Sequence, residues 1–125
     1  MRPALRIVAV LMGVGFTSQG IGWLVSPERA ATTLGMPLLD GLARSTQIGD
    51  FGAFFLTLGL SILAGSASSR SRLLYFPAAL LASAAFGRTI AWAVHGADFA
   101  TTFIAVESVA SLVLLATALQ PRPEV

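Results

Sequence analysis

The sequence predicts an all-α integral membrane four-helix bundle with a short interfacial helix between spans one and two. Three observations lead there. The chain is 55% hydrophobic and only 11% charged, with a mean hydropathy of +0.80, whereas soluble domains carry about a quarter charged residues. Its apolar residues gather in four runs. Each, at about 1.5 Å per residue, is long enough to cross a hydrocarbon layer of about 30 Å. These runs also lack the polar outer faces that a water-soluble helical bundle needs. One compact membrane domain, residues 1–125, is the reading that fits this size.

The first span is expected at about 6–25. It follows Met1-Arg2-Pro3-Ala4-Leu5-Arg6, which superficially resembles a secretory signal. The uncharged stretch from Ile7 to Pro27 is long enough to span, and no small-x-small cleavage motif ends it, so it reads as an uncleaved helix. Ser26-Pro27-Glu28 then supplies an N-cap, a proline at the first helical position and an acid in the first turn. The short helix that follows should stop at Gly35, with Pro37 just beyond. Its polar and small residues suit the interface. Asp40 is placed to cap the approach to the second span, at about 46–65. Ser66 to Arg72 forms a serine- and arginine-rich turn. The third span is expected at about 73–95, with Pro77 tolerated near its start. Gly96-Ala97-Asp98 makes a tight turn in which Asp98 caps the fourth span, at about 99–119. The tail from Gln120 holds two prolines and should be loose.

Composition removes several function classes. Without cysteine there is no disulfide, thiol catalysis or thiolate metal site. A lone histidine argues against a metal centre, and no cofactor is expected. The pI near 10.5 comes from eight arginines, all but Arg88 at segment ends, which form no basic patch for nucleic acid. They read as topology signals. Arg2, Arg6, Arg70, Arg72 and Arg122 fall on one side. Arg29 and Arg44 fall on the other, with Glu28, Asp40 and Asp98. A multi-pass protein of a bacterial plasma membrane with both termini cytoplasmic follows from that bias. Trp23 and Trp92 should then mark the outer interface and Tyr75 the inner one.

Each span carries polar residues where they are costly, namely Gln19, Asp50, Arg88 and Glu107. Counted from the outer helix ends, they lie roughly 6 to 12 Å deep, within one layer of the outer leaflet. An ionised residue near the middle of a membrane costs about 2.5 to 3.5 kcal/mol. Turned inward together, Arg88 can neutralise Asp50 or Glu107, and Gln19 can complete the network. One negative charge is then left over. The arrangement reads either as a polar clasp that holds four helices in register, or as a pocket open to the outer face. The ligand-binding set is then Gln19, Asp50, Arg88, Trp92, His95 and Glu107. His95 either ends its helix at the interface or relays protons to Glu107. Asp40 and Arg44 form a local surface pair. Ala79, Ser83, Gly87 and Ala91 make a stripe of small residues that invites close helix approach, and Gly49, Gly52 and Ala53 offer a similar patch around Asp50.

The stretch Gly49-Asp50-Phe51-Gly52-Ala53-Phe54-Phe55, with Gly87-Arg88-Thr89, His95-Gly96-Ala97 and Glu107, resembles small four-pass bacterial membrane proteins of unknown function, distantly DoxX-like. Gly87, Arg88, Gly96 and Glu107 match that pattern, whereas His95-Gly96-Ala97-Asp98 departs from its Asp-Gly-Pro turn. The resemblance implies a four-helix bundle and an Arg88–Glu107 pairing, but no activity.

The residues support two functions of different kinds. In the first, the pocket binds a small amphiphile or membrane lipid, or the chain serves as an accessory subunit of a membrane complex or a homo-oligomer. In the second, the protein is an intramembrane isomerase or hydrolase of an isoprenoid- or sterol-like substrate. Asp50 and Glu107 would then share acid and base duties beside Arg88. Proton or ion movement ranks third, because Leu56 to Ala64 and Val109 to Leu119 offer only hydroxyls for a path inward.

Overall fold

The computed structural model describes residues 2–67 and 70–121. Arg122 and the end of the tail lie outside the described residues, as does the middle of the turn after Ala67. Six α-helices follow in order: α1 (Arg2–Val25), α2 (Pro27–Thr33), α3 (Gly41–Thr46), α4 (Gly52–Ser66), α5 (Tyr75–Val94) and α6 (Thr101–Ala118). A π-helical turn at Gln47–Phe51 fuses α3 and α4 into one rod of 26 residues, and a 3-10 turn at Ser71–Leu74 leads into α5. Four rods are long and apolar enough to cross a membrane. The chain is a multi-pass membrane protein built as a four-helix bundle, with α2 as the short helix between the first two spans.

The bundle consists of two antiparallel pairs. In the first, Gly13 of α1 faces Leu63 of α4, Thr17 faces Gly59, and Gly20 faces Leu56, so the numbering runs in opposite directions. A Cβ added to Gly20 would lie 2.6 Å from the Leu56 amide nitrogen. One added to Gly59 would lie 2.8 Å from the Gly13 carbonyl oxygen and closer still to Thr17. The two backbones touch, which only glycine at these positions permits. In the second pair, Ser111 Oγ of α6 donates to the Ala78 carbonyl of α5 at 2.8 Å. Leu58, Ile62, Leu74, Leu81 and Leu114 are fully buried where the pairs meet. Helix α4 packs on the 3-10 turn more than on α5, with Leu74 filling the notch at Gly65. The outer faces carry exposed Leu11, Leu60, Phe86, Val109 and Leu112, as lipid contact requires.

Several local expectations need correction. The second span starts at Gly41, five residues before Thr46, because the π turn carries helical backbone straight through Gln47–Phe51. Asp40 precedes that start, yet its carboxylate makes no capping bond. It accepts instead from Arg44 Nη2 at 3.0 Å, the expected surface pair. Ala100, not Asp98, is the N-cap of α6. Trp23 is fully buried and stacks on Phe51 with centroids 5.1 Å apart, so it anchors the core and not an interface belt. Within the chain the small-residue stripe on α5 packs against no other helix: Ala79, Ser83 and Gly87 are exposed. The close approach belongs to Gly13, Gly20 and Gly59, because pairing chooses the partner face. Gly35 does end α2 as expected. Its φ of +74° supports two closing bonds, Gly35 N–H to the Thr32 carbonyl at 3.0 Å and Met36 N–H to the Ala31 carbonyl at 3.1 Å.

Candidate functional site

The site begins with an irregular piece of backbone. A π turn holds one more residue than an α turn and shifts the register of everything before it. Here it is fixed from two sides. Phe51 stacks on Trp23 of α1, and the buried Gln47 side chain straps the turn to the crossover that follows α2. Gln47 Oε1 accepts the Leu39 amide at 2.7 Å, while its Nε2 donates to the Pro37 carbonyl at 3.1 Å and to Met36 Sδ at 3.0 Å. The strap draws Leu34 and Met36 over the end of the bundle and leaves Asp50 on the wall of a cavity.

That cavity, about 720 Å³, lies between the two helix pairs. Its size falls within the range of about 300 to 1,000 Å³ usual for small-molecule sites. Aromatic rings dominate the wall: Phe16 from α1, Phe51 from the π turn, Phe54 and Phe55 from α4, and Phe103 from α6. Gln19, Asp50, Arg88 and Glu107 all line the same space. Four residues from four spans therefore line one cavity.

Their pairing is specific. Arg88 Nε donates to Glu107 Oε1 at 2.9 Å across the α5–α6 seam. Its guanidinium also lies over the Phe103 ring, 4.5 Å from the centroid, which screens the charge from the apolar wall. Phe103 and Glu107 are four residues apart on α6, so one helix face presents both groups to Arg88. Glu107 Oε2 is buried without a hydrogen-bond partner. Asp50 has no hydrogen-bond or ion-pair partner among the described residues and is exposed at the cavity wall. Gln19 joins a different network: its Nε2 donates to Thr33 Oγ1 at 3.3 Å, and that hydroxyl donates to the Ala30 carbonyl at 2.7 Å. It ties α1 to α2 and does not complete the charge cluster.

Compared with family models, curated proteins and solved structures, the chain matches none.

Trp92 and His95 stand apart from the cavity. Trp92 is exposed and packs edge-on against Phe99, with centroids 5.1 Å apart. His95 is the exposed C-cap of α5. Trp92 directly follows the cavity-lining Ala91 but lies on another face of α5, and His95 lies about two turns past Arg88. Gly87 and Ala91, by contrast, do line the cavity. No atom would meet a Cβ at Gly87 within 4 Å, so these small residues leave room beside Arg88.

Two features of the site were not anticipated. One is the aromatic wall. The signal was present in Phe51, Phe54 and Phe55 around Asp50, and in Phe103 one turn before Glu107. The other is Gln47, which closes the polar stretch Arg44-Ser45-Thr46 three residues before Asp50. Its three partners lie 8 to 11 residues earlier in the chain, and no helical spacing points to them. Among the described residues no group of histidine, cysteine or acids could hold a metal ion.

Chemically, the cavity offers one neutralised ion pair, one further carboxylate and a large aromatic surface. It contains no nucleophile–base pair and no phosphate loop. It can surround an apolar body while polar groups at one wall hold the end of that body.

Proposed function

We propose that this four-pass protein binds a small amphiphile or lipid in the cavity between its helix pairs, on its own or as an accessory subunit of a membrane complex. One observation carries the reading. A cavity of about 720 Å³ has an aromatic wall and, at one level, the Arg88–Glu107 pair with Asp50. A clasp serving only to hold helices would be packed shut, since lipid-embedded helices associate by close contact. The arginine bias of the sequence supports an orientation in a bacterial plasma membrane: Arg2, Arg6, Arg70, Arg72 and Arg122 belong to one side of the spans, Arg29 and Arg44 to the other. Both termini are then cytoplasmic and the cavity faces outward. Distant kinship with DoxX-like proteins belongs to this proposal on sequence motifs alone.

The test is native mass spectrometry of protein extracted in mild detergent. A bound small molecule or a co-purifying subunit is expected. Ala84→Phe, which fills the cavity from α5, should remove the small-molecule adduct and leave the fold intact. If the parent carries neither ligand nor partner, the proposal fails.

The second reading is an intramembrane isomerase or hydrolase of an isoprenoid- or sterol-like substrate, favoured by Asp50 and Glu107 lining one apolar cavity. It predicts conversion of the extracted ligand into a product of altered mass or retention. Asp50→Asn and Glu107→Gln should each abolish that conversion. A ligand recovered unchanged after long incubation would remove this reading.

A further inference from the structure

We infer that the ligand group held at the cavity mouth is a single organic cation, an ammonium on an amphiphile. The inference rests on the amphiphile-binding reading and adds the charge of the head. It follows from how the site's charges are distributed. Arg88 is committed: its Nε donates to Glu107 Oε1 at 2.9 Å, and its guanidinium lies on the Phe103 ring. Asp50 has no partner among the described residues, and Glu107 keeps a second oxygen, buried and without a hydrogen bond. With its acids ionised the cavity therefore carries one net negative charge, in surroundings made largely of phenylalanine. An anionic head would compete with Glu107 for Arg88 and would leave two uncompensated negative charges along a largely apolar wall. A cationic head beside Asp50 leaves none.

The aromatic wall points the same way. Ring faces attract cations most strongly where water is excluded, and quaternary and protonated amines are the groups that aromatic cages select. Arg88 over Phe103 shows that the rings of this cavity already accept a positive charge. Phe51 and Phe54 follow Asp50 within about one helical turn, and all three line the same volume. The π turn matters here, because it places Asp50 on this wall, and Gln47 holds it there. The cation could be the head of a membrane aminolipid or a freely diffusing lipophilic amine. Both have the same chemistry at Asp50.

Binding of three probes with the same chain, dodecyltrimethylammonium, dodecyl phosphate and dodecanol, should be measured in phosphatidylglycerol nanodiscs and corrected with empty discs. The apolar contribution is common to all three, so differences report the head. The cation should bind at least about tenfold more tightly than the other two. Asp50→Asn should remove that preference, and Asp50→Glu should keep it. Asp50 is exposed and has no hydrogen-bond or ion-pair partner among the described residues, so its substitution leaves the fold standing, which the unfolding midpoint checks. Tightest binding by the phosphate, lost in Arg88→Gln, would overturn the inference while the amphiphile reading survives. Equal binding of all three, unaffected by Asp50→Asn, would do the same. Binding by none would sink both. Weaker ammonium binding in phosphatidylethanolamine discs supports the inference with a lipid head as the source. Equal binding in both discs supports it with a free amine.

Discussion

Replacing Arg88 by leucine removes the partner of a carboxylate that has almost no water. Glu107 is 9% exposed, one of its oxygens is already without a hydrogen bond, and the other accepts only from Arg88. Breaking a fully buried pair from one side costs about 3 to 5 kcal/mol, because the remaining charge is uncompensated. Here the Arg88 side chain is 35% exposed, so cavity water already screens part of the interaction. The expected loss is therefore about 2 to 3 kcal/mol. In a chain of this size that lowers the unfolding midpoint by on the order of 10 °C. Trp23, fully buried and stacked on Phe51, provides the fluorescence signal for melting in mild detergent. The decisive comparison is with Arg88→Leu combined with Glu107→Leu. Two apolar side chains in place of a buried pair are often neutral or stabilising, so the double variant should recover most of the loss. If Arg88→Leu melts with the parent, the pair contributes nothing to the fold. If the double variant is no better than the single one, the harm lies in lost packing of the arginine stem over Phe103 and not in a stranded charge.

Four further substitutions test the architecture. Gly59→Ala should destabilise by about 1 to 3 kcal/mol, since its methyl meets the α1 backbone. Gly22→Ala, with nothing within 4 Å, should change stability by no more than about 0.5 kcal/mol; matched melts of the two variants check both. Ser111→Ala removes the 2.8 Å bond to the Ala78 carbonyl and should lose about 0.6 to 1 kcal/mol, read as a lower unfolding midpoint. Gln47→Leu leaves the Leu39 amide and Pro37 carbonyl without their partner. It should lower stability by about 1 to 3 kcal/mol and speed hydrogen exchange at Leu39 relative to amides within α4.

How far the site could be read in advance depended on the kind of signal each residue carries. Arg88 was legible as the partner of an inward-facing acid because lipid gives a buried charge few choices, but depth left both Asp50 and Glu107 open, and only the resemblance singled out Glu107. Asp50 was placed at the right level by the same reasoning. The π turn that aims it has no sequence signature, since its backbone is chosen by Trp23 and Gln47 packing around it. Gln19 shared the depth but not the network, because Thr33 on α2 lies within reach of its amide. Trp92 and His95 failed for a related reason. Depth along a helix does not fix azimuth, and these two lie beyond the cavity.

Sequence alone determined the fold class, the four spans and the level at which polar groups gather, since these follow from the solvent: hydrocarbon admits long helices and penalises every charge that does not turn inward. It also placed Gly35 as the end of α2, because the left-handed turn there is a local property of one residue. Tertiary structure decided which faces meet. Gly13, Gly20 and Gly59 joined α1 to α4, while the equally small stripe on α5 became open surface and cavity wall. Small residues permit close approach on any face, and only the assembled pairs, with van der Waals contact as the deciding force, select one of them.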